Sequence, residues 1–159
     1  MLSDDRELLE SDIGRRIIDI AVRDYRLIFK TQSFNDIPAD IVIRIFDRCD
    51  LPVESEFELA QSAIAWVAAR PERVRNAYRV FSCIRITNLT AEQHNDMINL
   101  INLMPYFTAA VSTLAYHAFN SADAYRVCTI GAHTEPHYKR CGDQMKRSHF
   151  TYAHFLVIV

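Results

Sequence analysis

The chain has 159 residues, enough for one well-filled hydrophobic core and too few for two ordinary domains. Its 18 lysines and arginines stand against 20 aspartates and glutamates, and a net charge of −2 supplies no long-range field to gather nucleic acid or anionic lipid. No window reaches the roughly 18 apolar residues that span a bilayer, and the acidic opening MLSDDRELLESD is unlike a signal peptide, so a cytoplasmic or nuclear setting with reduced thiols is expected.

Only three glycines and five prolines punctuate the sequence, and apolar residues recur three and four apart as far as about Asn120. That pattern favours helices over Gly-rich hairpins. The expectation is an all-α domain of stacked antiparallel helical hairpins over residues 1–120, followed by a C-terminal extension over residues 121–159. The first helical segment runs from about Asp5 to Lys30, with Leu9, Ile13, Ile17, Ile20 and Ala21 keeping the buried spacing and Gly14 as the candidate break. A turn over residues 33–37 leads to Pro38, whose missing N–H suits a helix start. Ile41, Ile45 and Phe46 then form a second buried stripe, which Leu51-Pro52 ends.

Ser55-Glu56-Phe57-Glu58 reads as a capping box: the Ser55 hydroxyl accepts from the Glu58 N–H while the Glu58 carboxylate reaches back to the N–H of Ser55. Behind it Phe57, Ala60, Ile64 and Val67 share a face, with Leu59, Ala63 and Trp66 on the flank. A helix so apolar belongs at the centre, with Trp66 as a core anchor. Pro71 opens the next helix, carrying Val74, Ala77, Tyr78, Phe81 and Ile84 inward and Arg73, Arg75, Arg79 and Arg85 outward. The basic side reads as a solvated face, with Arg73, Arg75 and Arg79 as a candidate surface for an acidic partner. Thr90-Ala91-Glu92-Gln93 is a second capping box, opening a helix through Met97, Ile98 and Ile101, and Pro105 starts another with Tyr106, Ala110, Val111, Leu114 and Ala118.

After Asn120 the runs Tyr125 to Ile130 and His154 to Val159 are β-branched and are expected as two short strands that either dock on the helical body or lead into a further domain. Cys128, His133, His137 and Cys141 are the weak metal candidates, since zinc takes three or four nitrogen or sulfur donors. No CxxC pair exists and Pro136 interrupts any helix aligning His133 with His137, so no metal site is expected and a zinc-stabilised interaction domain is an alternative only. Thiol catalysis is a further alternative, but nothing raises Cys49, Cys83, Cys128 or Cys141 above the others, and GxSxG, HExxH and phosphate-cradling glycine loops are missing. No catalytic residue and no cofactor are expected. Lys139-Arg140 and Lys146-Arg147 have no aromatic row beside them and read as a solvated loop rather than a nucleic-acid contact.

Several of these pieces occur in a telling order. Tyr25 and Ile28, then Ser33-Phe34 with Ile37-Pro38 before Ile41 and Ile45, then Asp50-Leu51-Pro52-Val53-Glu54-Ser55-Glu56 before Phe57, Ala60, Ala63 and Trp66-Val67, resemble the BACK domain, the helical module that follows the BTB domain in BTB–BACK and BTB–BACK–kelch proteins. Arg85-Ile86-Thr87-Asn88-Leu89 stands where that family has an apolar V-R-F/L-P-L-L run, and departs from it at Thr87-Asn88. The resemblance implies a hairpin array joining a dimeric BTB domain to a C-terminal module and, in many relatives, a substrate adaptor for cullin-3 ubiquitin ligases. The expected function is a non-enzymatic protein-interaction scaffold whose structural residues are Pro38, Ile41, Ile45, Ser55, Phe57, Glu58 and Trp66. No BTB domain is read in this sequence. Cullin-3 contact is expected mostly through an adjoining one, with the first helix up to about Ala21 as the local contributor.

Overall fold

Seven of the thirteen residues in the helix Glu56–Ala68 are buried, Glu56, Leu59, Ala60, Ala63, Ile64, Trp66 and Val67, and the rest of the fold is arranged around it. The computed structural model describes residues 9–108 and Ser112. In chain order these form α1 (Asp12–Arg23), α2 (Tyr25–Phe29), a 3-10 turn (Gln32–Asp36), α3 (Ala39–Asp47), α4 (Glu56–Ala68), a second 3-10 turn (Pro71–Asn76), α5 (Ala77–Phe81), a third (Ile86–Asn88) and α6 (Ala91–Asn102). The described residues are all-α, with no strand among them. α1 packs on α3, α3 on α5, and α4 touches α5, α6 and the Pro71–Asn76 turn, which is the hairpin stacking expected from short connections between amphipathic helices.

The first helix departs from its expected register. Its break falls at Ser11, whose hydroxyl accepts from the Gly14 N–H at 3.1 Å, and Gly14 is buried one turn inside α1. The buried face is Gly14, Ile18, Ala21 and Val22, followed by Tyr25, while Ile13, Ile17 and Ile20 are 65%, 50% and 52% exposed. Two apolar stripes run along this helix one residue out of step, and spacing alone does not say which one faces inward. The aromatic residues beyond α1 make the choice. Tyr25 lies 5.3 Å from Phe29, and Phe29 in turn meets Phe34 at 4.6 Å and Phe46 at 5.3 Å, a cluster that draws in the stripe ending at Tyr25.

α3 is capped by Pro38 in extended backbone, and it buries Val42, Ile45 and Phe46, leaving Ile41 only half-buried. It ends at Asp47, before Leu51-Pro52, where Arg48 turns to extended backbone and residues 49–50 form a turn that leads toward α4. Cys49, Leu51 and Val53 there point inward at alternate positions and are fully buried. Arg48 fixes this exit: its Nε and Nη2 donate to the two carboxylate oxygens of Asp50 at 2.7 and 2.8 Å, and its Nη1 donates to Asp19 on α1 at 2.7 Å. These bonds, Asp50 first, hold the guanidinium above even the usual arginine range.

The two capping signatures behave differently. At Thr90 both halves form, with the Gln93 N–H donating to Thr90 Oγ1 at 3.2 Å and the Thr90 N–H donating to Gln93 Oε1 at 3.0 Å. At Ser55 the Glu58 N–H donates to the serine hydroxyl at 3.1 Å, but the Glu58 carboxylate accepts from the Glu54 N–H at 3.2 Å and from the Tyr25 hydroxyl at 3.4 Å. A buried tyrosine needing an acceptor draws the carboxylate away from its reciprocal role.

Pro71 opens a 3-10 turn before the short α5, so the inward set becomes Arg73, Ala77, Val80, Phe81 and Ile84, and Tyr78 faces solvent. α6 buries Met97 and Ile101. The helix expected from Pro105 does not start there, since residues 105–106 form a turn and 107–108 are irregular, and the rest of its expected length lies mostly outside the described residues. The extension over residues 121–159, with its expected strands and with Cys128, His133, His137 and Cys141, lies wholly outside them.

Candidate interaction surface

The basic face expected from the sequence does not form one patch. Arg73 is only 6% exposed and lies flat against Trp66, its guanidinium carbon 4.0 Å from the ring centroid. Its Nη1 donates to the Trp66 carbonyl at 2.8 Å and its Nη2 to the Asn35 carbonyl. Burial, the largest influence, lowers its pKa, and the face of the indole offers the cation some compensation. Trp66 also donates its Nε1–H to the Ile37 carbonyl at 3.1 Å, so arginine and tryptophan together lock α4 to the segment between α2 and α3. Arg79 pairs with Asp40 at 3.0 Å, and Arg75 is exposed. Of the three candidates for a partner surface, one is a core residue and one is engaged with α3.

A second buried polar group departs from the sequence expectation. Arg85 belongs to the expected solvated face but is 4% exposed, and Glu56 in the first turn of α4 is 6% exposed. The Arg85 backbone N–H donates to Glu56 Oε1 at 2.8 Å, and Arg85 Nη2 donates to Cys49 Sγ at 3.4 Å. Nε and Nη1 of the same guanidinium have no hydrogen-bond partner among the described residues. The cluster ties the exit of α5 to the start of α4 and to the loop that carries Cys49. Its only trace in the sequence is Glu56 inside the Asp50 to Glu56 turn, where an acid in a helix's first turn would ordinarily be taken as a surface residue.

None of this builds a reacting centre. Cys49 and Cys83 are buried, and the Cys83 thiol donates to the Arg79 carbonyl at 3.3 Å, the pattern of an inert core thiol. Among the described residues no three His, Cys, Asp or Glu side chains gather in a way that would hold a metal ion.

What the fold leaves open is apolar. Ile13, Ile17 and Ile20 rise on one side of α1 at spacings of four and three, a strip about 10 Å long. Arg16 is exposed beside the strip, and Leu27 on α2 is 72% exposed beyond it. β-branched side chains lose little rotamer freedom on docking, because they have little to begin with in a helix. The three isoleucines stand in water together on one face of the helix.

No curated protein and no solved structure matches this chain. Residues 10–99, more than half of it, match the family model described as BACK: BTB And C-terminal Kelch, and they take in the central helix, the Ser55 turn and both packed arginines. By that match and by its stacked helical hairpins, the chain belongs to the BACK family.

Proposed function

We propose that this chain is the BACK region of a BTB-type substrate adaptor for a cullin-3 ubiquitin ligase, acting in the cytoplasm or nucleus. A BACK domain is a non-catalytic helical scaffold, and its contribution is geometric: it fixes where attached recognition units stand. The observation that carries the reading is the row Ile13, Ile17 and Ile20 on α1, which the fold holds away from its own core. On this reading the row packs against a helix of an adjoining BTB domain and makes the pair one rigid unit, with cullin-3 contacting the joint.

The test joins the chain to a BTB domain and measures co-purification with the amino-terminal region of cullin-3, alongside light scattering for assembly state. Binding is expected with the parent sequence and is expected to drop with Ile17→Glu. Failure of the folded fusion to bind cullin-3 would remove the ligase from the proposal, and unchanged binding by Ile17→Glu would remove the isoleucine row.

A further inference from the structure

A cleft of about 250 Å³ lies between α1 and α3, on side chains different from the isoleucine row. Arg15 and Ile18, which line it, sit roughly 100–160° round the helix from Ile17. Leu9, Ile18 and Ile43 supply its apolar lining, Arg15, Arg44 and Arg48 its basic lining, and Asp47 an acid. Guanidinium groups around hydrocarbon suit a ligand that brings a carboxylate and an aliphatic side chain together.

The chain displays that chemistry at the edge of the cleft. Leu9 forms part of the wall, its carbonyl accepts from Arg44 Nη1 at 3.2 Å, and Glu10 Oε1 lies 3.6 Å from Arg44 Nη2. Both of the outer arginines have partners that water can reach. The Glu10 to Arg44 separation exceeds a hydrogen bond, and the Arg15–Asp12 pair, at 3.1 Å, has side chains 70% and 89% exposed. A carboxylate entering deeper therefore competes with Asp12 for Arg15 and with Glu10 and the Leu9 carbonyl for Arg44. Arg48 differs, because Asp19 and Asp50 fix it as a wall. An inorganic anion gains nothing from the leucine and isoleucine side chains, and a nucleic acid would want an aromatic platform that is not among the described lining residues.

We propose that the α1–α3 cleft docks an acidic segment of a partner protein, with an aliphatic side chain on Ile18 and Ile43 and the adjacent carboxylate between Arg15 and Arg44. The probe is the peptide acetyl-Leu-Leu-Glu-Glu-Leu-amide, titrated into the isotopically labelled chain and followed by NMR, with its glutamine counterpart and inorganic phosphate as comparisons. Amide shifts are expected around Ile18 and Ile43, with about tenfold weaker binding for the glutamine peptide and for Arg44→Gln, as loss of a charge-assisted hydrogen bond predicts. Arg15→Gln, at an exposed position, gives the same test without risk to the fold, and Ile17→Glu is expected to leave peptide affinity unchanged. The proposal is overturned if the acidic peptide causes no shifts at the cleft, if both peptides bind alike, if neither arginine variant weakens binding, or if phosphate reproduces the shifts at equal concentration. Since Ile17→Glu tests the cullin reading and the arginine variants test the cleft, either can fail alone.

Discussion

α4 and α1 are helices of similar length that both carry apolar stripes, and the fold uses them in opposite ways. α4 is surrounded by α5, α6 and the Pro71–Asn76 turn, so its flank and its face are both consumed. Among the described residues α1 packs on α3 and α2, and three of its isoleucines stay in water. The difference teaches that in a hairpin array position decides what an apolar stripe is for: inside, it supplies stability, and at the end of the stack it becomes a surface. Substitutions in the two helices should therefore separate cleanly into those that unfold the chain and those that only disconnect it.

The largest effect is expected at Trp66. Trp66→Ala empties the centre of α4's face, removes the indole N–H bond to Ile37 and strips Arg73 of the ring it lies on, so a loss of about 3–5 kcal/mol is expected in urea unfolding. A loss below about 1 kcal/mol would mean that α4 is not the hub. Glu56→Ala should come next at about 2 kcal/mol, because it leaves the buried Arg85 N–H without its acceptor. Glu56→Gln keeps an oxygen in place and is expected to recover most of that loss, a rescue that thermal unfolding of the two variants side by side would reveal. Arg73→Lys keeps the charge but not the flat face or the paired donors, and a loss of about 1–2 kcal/mol is expected. An unchanged midpoint would show the cation to be enough by itself.

Smaller differences sharpen the role of the caps. Ser55→Ala and Thr90→Ala should each cost about 1 kcal/mol. Their second residues should not match. Glu58→Ala also removes the acceptor of Tyr25, so it is expected to loosen the packing of α2 and to change near-ultraviolet circular dichroism. Gln93→Ala should affect α6 alone.

The elements and their order are legible in the sequence because capping residues and prolines act locally: Pro38, Ser55, Pro71 and Thr90 each stand at a real helix or turn onset. Trp66 is legible as a core residue for a similar reason, since a helix apolar on more than half its girth can only be central. The register of α1 is not. Its two stripes satisfy the same periodicity, and the aromatic cluster that decides between them joins Tyr25 to Phe34 and Phe46 across the fold. Nor is the fate of the arginines, since an arginine can be buried when carbonyls and an indole face replace water, and no spacing rule announces those partners. For want of this information the partner surface expected from sequence falls on Arg73, Arg75 and Arg79. The surface that the fold opens is apolar, and spacing alone would assign it to the interior.

The smallest expected change in stability is at that surface. Ile17 is half exposed, so Ile17→Glu removes little buried area, adds a charge that water can solvate and keeps a residue that α-helices tolerate. A shift within about 0.5 kcal/mol is expected, together with higher solubility as the apolar row is broken. Ile18→Glu, one position along, takes out a core side chain that is only 5% exposed, and even with the cleft arginines near the new carboxylate it is expected to cost clearly more than Ile17→Glu. The pair of variants isolates the choice between the two stripes of α1. If Ile17→Glu unfolds the chain while Ile18→Glu does not, the register is the one that simple spacing suggests. If the order is as the fold has it, Ile13, Ile17 and Ile20 form the outer face of α1 and Ile18 belongs to the inner one.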